Sequence, residues 1–256
     1  VVKAVWSANM SKILRTQAGM VAGLLIILGG CSADRKNEQK DLKTATIEMD
    51  NGAPMAALKL LQHRVQSHPE DIPTLLALGR ANADLGRYQP AILFFKDVLA
   101  KDHNSVEAMK GLARIDLRLM PERALTRLQD MSKRFPQDPQ IWTDLGVAYD
   151  YAGQHKQAQT AYYTAMKLDP LLIAAQSNLG FSYALNGQYD SAMFMLSPLA
   201  ASADATPKIR ANLAYAQFMS GHVDAARQTL QRDMSLARAE KVLESYRQLS
   251  SKHGSL

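Results

Sequence analysis

The chain is poor in cysteine, in aromatic residues and in charge of one sign, and each shortage closes a class of function. One cysteine, Cys31, among 256 residues rules out an intrachain disulfide and any site built on a cysteine pair. Aromatics make up 7% and form no stacking motif, which argues against a nucleic-acid partner. The formal charge is +6, but Lys3, Lys12 and Arg15 lie in the first 30 residues, which hold no acid. Of the 30 basic residues, the other 27 face 24 acidic ones, the balance of a solvated surface. Glycine-rich phosphate loops and HExxH are absent, and no serine, aspartate and histidine fall at triad spacing. His63 and His68 sit five apart and do not share a helix face; His103, His155 and His222 fall at turns, where solvated side chains are expected. The 12 methionines follow helical spacing and read as core fillers. No catalytic residue, metal, cofactor or small-molecule substrate is therefore expected. Period-two alternation rich in β-branched residues is also missing, so no sheet is expected and the fold class is all-α.

Long hydrophobic runs are scarce as well. The longest, Ala18 to Leu28, follows Lys12 and Arg15 and has eleven residues. It is too short to cross a bilayer comfortably and matches the apolar region of a signal peptide, with Val1 or Met10 as the start. Leu28-Gly29-Gly30-Cys31 then resembles the bacterial lipobox. That resemblance implies cleavage before Cys31 and lipid on its sulfur and amine. The competing reading is an ordinary signal peptide or membrane anchor with an incidental cysteine. Several acyl chains give stable anchoring where one does not. Ser32 stands where an aspartate would signal inner-membrane retention, so the resemblance implies the periplasmic face of the outer membrane. Residues 1–30 are read as signal peptide and 31–48 as lipidated N-terminus and flexible tether, with the end of the tether open to a second reading as the polar first helix of a degenerate repeat.

What is present is a repeat. From Pro139, Trp142 is position 4, Leu145 and Gly146 are 7 and 8, and Tyr149 is 11. Gly153 is 15, Ala158 is 20, Tyr162 is 24, Ala165 is 27 and Pro170 is 32. Small residues at positions 8 and 20 let two helices cross closely, and the large ones fill the space around the crossing. This pattern resembles the tetratricopeptide repeat, a helix–turn–helix unit of about 34 residues. Ala57, Ala91, Ala124, Ala158, Ala192 and Ala226 recur at position 20, spaced by 33 or 34 residues. The expected fold is a tetratricopeptide-repeat superhelix over 49–251. Its repeats lie near 38–71, 72–105, 106–138, 139–172, 173–206 and 207–240, the first one degenerate, with a capping helix at 239–251. The repeat at 106–138 is one residue short and lacks a turn glycine, so its inter-helix turn is expected to be abnormal. Ser197 to Pro207 reads as a long connector. Val242, Leu243, Tyr246 and Leu249 mark the apolar face of the cap.

Binding chemistry is sought on the concave face, which helix A of each unit lines mainly at positions 2, 5, 9 and 12. Position 9 reads Arg80, Arg114, Val147, Phe181 and Tyr215; position 12 ends at Phe218. A basic amino-terminal half and an aromatic carboxy-terminal half suggest a peptide or helix seat. The competing reading packs Phe181, Tyr215 and Phe218 inside the superhelix. Position 5 reads Leu76, Lys110, Thr143, Ser177 and Ala211, without the lysine and asparagine set of a carboxylate clamp.

The carboxy-terminal half carries a narrower resemblance. Pro198-Leu199-Ala200, Ala205-Thr206-Pro207, Ile209-Arg210, Asn212-Leu213-Ala214 and Tyr246-Arg247 make roughly Pro139 to Leu249 resemble the TadD-like lipoproteins of Tad (Flp) pilus assembly. The resemblance is weaker before Ile72. It implies an outer-membrane scaffold with a pilotin-like role toward the secretin. A generic periplasmic repeat lipoprotein, or a pilotin of another type IV pilus or secretion system, is the alternative. An enzyme on a helical scaffold is the third reading. Tad ATPase, secretin and small pilin genes beside this one would separate the first two.

Overall fold

The computed structural model describes residues 31–253, with side chains described for 40–250. Thirteen helices and no strand occur among the described residues. They are α1 (Cys31–Asp50), α2 (Pro54–Ser67), α3 (Ile72–Asp84), α4 (Tyr88–Lys101), α5 (Val106–Leu119), α6 (Pro121–Arg134) and α7 (Pro139–Tyr151). The chain continues through α8 (His155–Leu168), α9 (Ile173–Leu185), α10 (Tyr189–Ala201), α11 (Pro207–Met219), α12 (Val223–Gln231) and α13 (Leu236–His253). The helices pack as successive antiparallel pairs, and the first helix of each pair also packs on the first helix of the next. The result is an all-α tetratricopeptide-repeat superhelix.

Local chemistry explains where the helices start and turn. Asp71, Asp138 and Thr206 cap α3, α7 and α11, each accepting hydrogen bonds from backbone N–H groups of the first turn. A proline at the first or second helical position follows each cap, where its missing N–H costs nothing. The α7–α8 turn passes through Gly153 at φ 69°, a conformation that an L side chain resists. Gly52 does the same at φ 74° between α1 and α2, which gives the degenerate first unit the same turn as the regular ones.

The core runs along the stack as a chain of clusters instead of gathering at one centre. Ala45 and Met49 of α1 bury against Ala57, Leu58 and Leu61 of α2 and Leu78 and Ala81 of α3. Phe95 fills the space between α4, α3 and α5 because Gly79 and Gly111 have no Cβ to obstruct its ring. Tyr162, Leu196 and Leu230 are the equivalent fillers further along, all fully buried. At the end of the stack Ala239 and Leu243 of α13 close over Ala214, Phe218, Ala226 and Leu230.

The short repeat has a distinct turn. Met120 alone separates α5 from α6, with φ −150° in place of a left-handed glycine. Asp116, 2% exposed, reaches across this corner and pairs with Arg123 and Arg127. This ion cluster holds together a corner that the other units shape with glycine.

Several expectations need correction. The stretch read as a flexible tether forms most of α1, a helix from Cys31 to Asp50. The connector at Ser197 to Pro207 is shorter than expected, because α10 runs through Pro198 to Ala201. Pro198 is exposed, so the helix meets its ring on the solvent side. The capping helix starts three residues earlier, at Leu236, and Leu249 points to solvent at 45% exposure. Met49, Met109 and Met131 are core residues, whereas Met55 and Met120 are exposed. The signal peptide and Leu28 to Gly30 lie outside the described residues.

Candidate functional site

The first helices of the central repeats line a concave groove of about 1030 Å³. Position 9 contributes Arg80, Arg114 and Val147, and position 12 contributes Ala83 and Leu117, as the repeat register requires. Position 13 adds Arg118 and Tyr151; Gln140 and Ala174 enter from position 2. Lys208, at the start of α11, also reaches this space. Arg118 and Lys208 are 90 positions apart in sequence, and the superhelical curvature brings them to one groove.

The cations of the groove are not equivalent. Arg114 Nε donates to Asp144 at 2.8 Å, and its Nη2 reaches Gln140 at 3.4 Å. Burial pushes the Asp144 carboxyl up, against the pull of Arg114 and Lys110. Lys110 lies buried below, donating to Asp138 at 3.1 Å and Gln140 at 3.0 Å and pairing with Glu107 at 2.7 Å. Lys110 and Arg114 therefore tie α5 to α7. Arg80 and Arg118, by contrast, make no hydrogen bond or ion pair among the described residues. Lys208 donates to the neutral Asn178 at 3.3 Å. Burial and the charge of Arg118 hold the Lys208 ammonium below its ordinary pKa.

The aromatic half of the expected site is placed elsewhere. Phe181, Tyr215 and Phe218 do not line this groove. Phe181 meets Tyr215 edge-on at 5.6 Å between centroids, Tyr215 meets Tyr246 of α13 at 5.2 Å, and Phe218 meets Tyr246 at 5.7 Å. Tyr246 donates to the Ala211 carbonyl at 3.3 Å, and burial raises its pKa to about 12. Phe218 is core, buried against Leu230 and Leu243. Phe181 and Tyr215 stay half-buried. These rings are a ladder that joins the last repeats to the cap, because the capping helix supplies a tyrosine that the repeat pattern alone does not place.

A second polar centre joins α7, α8 and α9. Asp150, at position 12, turns inward instead of lining the groove. Its carboxylate accepts from Tyr162 at 2.9 Å and Ser182 at 2.7 Å, and contacts His155 Nδ1 at 2.9 Å. Burial raises the Asp150 pKa, offset in part by these three partners. Burial, with Asp150 beside it, pushes the Tyr162 phenol up as well. His155 is thus a half-buried partner of Asp150 and not the solvated turn residue its position suggests. Ser182 and His155 both meet the Asp150 Oδ1 atom, and no hydrogen bond joins the two among the described residues. No cluster of three or more histidine, cysteine or acidic residues that could hold a metal occurs among the described residues. No helix among them is long and apolar enough to cross a membrane.

Residues 139–170 match the tetratricopeptide repeat family. Among curated proteins, the general transcriptional corepressor ssn6 of Schizosaccharomyces pombe is 25% identical over 122 residues, 44% of this chain. The chain spans 11% of that protein's length. A thermophilic repeat protein of Thermus thermophilus superposes with a TM-score of 0.64 at 22% identity, covering 70% of this chain and 98% of its own. A tetratricopeptide repeat protein of Parabacteroides merdae gives 0.57 at 13% identity, covering 85% and 93%. The Cut9–Hcn1 hetero-tetramer of the APC/C gives 0.71 at 17% identity, covering 84% of this chain and 44% of that one. At such identities these likenesses concern the fold. The fold they share with this chain is the tetratricopeptide-repeat superhelix.

Proposed function

We propose that this protein is a scaffold that holds a segment of a protein partner in its concave groove. We further propose that it does so as a lipid-anchored factor at the periplasmic face of the outer membrane, assisting assembly of a Tad-type pilus at its secretin. The groove over α3, α5 and α7, with free cations on its wall, supports the first part. The resemblance of Pro139 to Leu249 to the Tad lipoproteins, together with Leu28-Gly29-Gly30-Cys31, supports the second. Cys31 is the first residue of α1, so under this reading a helix, not a slack tether, would connect the lipid to the repeats.

Ala174 tests the groove, since it is exposed and lines it. Ala174→Trp fills the space without touching the core. Pilus assembly is expected to stop in cells that still accumulate the folded protein; full assembly would remove the groove from the mechanism. Mass spectrometry of the native protein tests the anchor: a chain beginning at a lipid-modified Cys31 is expected, and an unmodified cysteine would overturn it.

A further inference from the structure

We propose that the segment seated in the groove is acidic, with carboxylates that meet Arg80, Arg118 and Lys208 and apolar side chains that meet the floor between them. This rests on the concave-groove reading above and names the chemistry of its occupant. Three observations carry it. First, the lining charges left without an ionic partner are Arg80, Arg118 and Lys208, against the single carboxylate of Asp84. Second, Arg118 and Lys208 come from α5 and α11, and nothing anionic among the described residues neutralises them. Like charges held in one groove repel, and an anion between them relieves that repulsion; burial first, and then the Arg118 charge, lower the Lys208 pKa. Third, the part-exposed Val147 and Leu172 line the same groove as the cations, with Ile115 and Leu117 buried behind the surface. A polyphosphate backbone has nothing to offer such a surface, whereas a peptide alternating acidic and apolar residues fits both parts. Arg114 takes no part, because Asp144 already occupies it.

The test uses fluorescence anisotropy with the full chain and three labelled decapeptides: alternating Glu and Leu, alternating Gln and Leu, and alternating Lys and Leu. A labelled single-stranded oligonucleotide is the fourth probe. The Glu peptide is expected to bind at least tenfold tighter than the Gln peptide, the preference shrinking as salt rises. Arg118→Gln with Lys208→Gln should weaken the Glu peptide at least tenfold. Lys156→Gln with Lys167→Gln, exposed on α8 and outside the groove, should leave it unchanged. Matching circular-dichroism melts show that each variant folds. Equal binding of the Glu and Gln peptides, or an unchanged affinity in the groove variant, overturns the proposal. Tighter binding of the oligonucleotide than of the Glu peptide overturns it too. If the acidic preference is absent but Ala174→Trp still stops pilus assembly, the acidic partner falls and the groove stands; if neither effect appears, both fall.

Discussion

The ring of Tyr162 on α8 lies directly against the backbone of Gly146 on α7, which offers no side chain there; a Cβ on residue 146 would run into the ring. Tyr162 cannot retreat, because it is buried and its hydroxyl is held by Asp150 at 2.9 Å. The small residue at position 8 is therefore a consequence of the large one at position 24.

Gly146→Leu sets two effects against each other. Leucine favours a helix over glycine by about 1 kcal/mol. Overpacking at this contact costs about 1–3 kcal/mol or more, and also breaks the Tyr162–Asp150 bond. The packing cost should win, and coupling between neighbours should extend the loss into adjoining repeats. Circular-dichroism melts should show a lower Tm; an unchanged Tm would refute the contact.

The corner between α5 and α6 should respond unequally to losing its two kinds of partner. Arg123 and Arg127 are partly exposed, whereas Asp116 is buried. Asp116→Ala frees two cations that water can solvate. Arg123→Ala with Arg127→Ala strands a carboxylate in the interior, which costs several kcal/mol if it stays charged. Urea denaturation is expected to rank the double arginine variant below Asp116→Ala in stability. The reverse order would mean that the corner does not depend on satisfying Asp116.

Asp150 bridges two repeats, so its removal should do more than delete one contact. Asp150→Ala leaves the buried hydroxyls of Tyr162 and Ser182 without their acceptor, a cost of about 1–3 kcal/mol. Ser182→Ala on that background should cost less than in the wild type, because the hydroxyl it removes is already orphaned. Strictly additive losses in a double-mutant cycle would show that the two do not interact.

Asp71 gives an acid dependence with a definite sign. Burial raises its pKa, but hydrogen bonds from Thr74 and Arg64 and the Arg64 charge outweigh it and leave it below the usual carboxylate value. A depressed folded pKa stabilises the protein above the unfolded value, near 4, and that stabilisation is lost as pH falls through the folded one. Asp71→Asn should lower stability at neutral pH and flatten the decline below about pH 4. An acid slope identical to that of the wild type would rule Asp71 out as a contributor.

Phe218 should behave as a core residue and not as a binding anchor. Phe218→Ala opens a cavity beneath α13 and should cost about 3–5 kcal/mol. Phe181→Ala, at the half-buried end of the ladder, should cost clearly less. Comparable losses, measured by thermal melts, would contradict the burial assigned to the two rings.

The sequence by itself determined the repeat. Alanines at position 20 and the glycine at 146 can be read directly, because a helix crossing restricts side-chain size at fixed spacing, and that restriction recurs with every unit. The abnormal turn at Met120 was legible for the same reason, as a missing residue and a missing glycine. Arg80, Arg114 and Val147 followed from the register alone. What the sequence could not determine was which charges stay free. Arg114 and Arg80 occupy the same position in successive repeats, yet only Arg114 finds an aspartate, Asp144 of the next unit. The juxtaposition of Arg118 and Lys208 in one groove, and the burial of Phe218 by Tyr246 of α13, depend on superhelical curvature and on the last helix folding back. The first arises from small rotations accumulated over several repeats and the second from a helix that lies outside the repeat pattern, so no single unit contains either, and only the tertiary structure decided them.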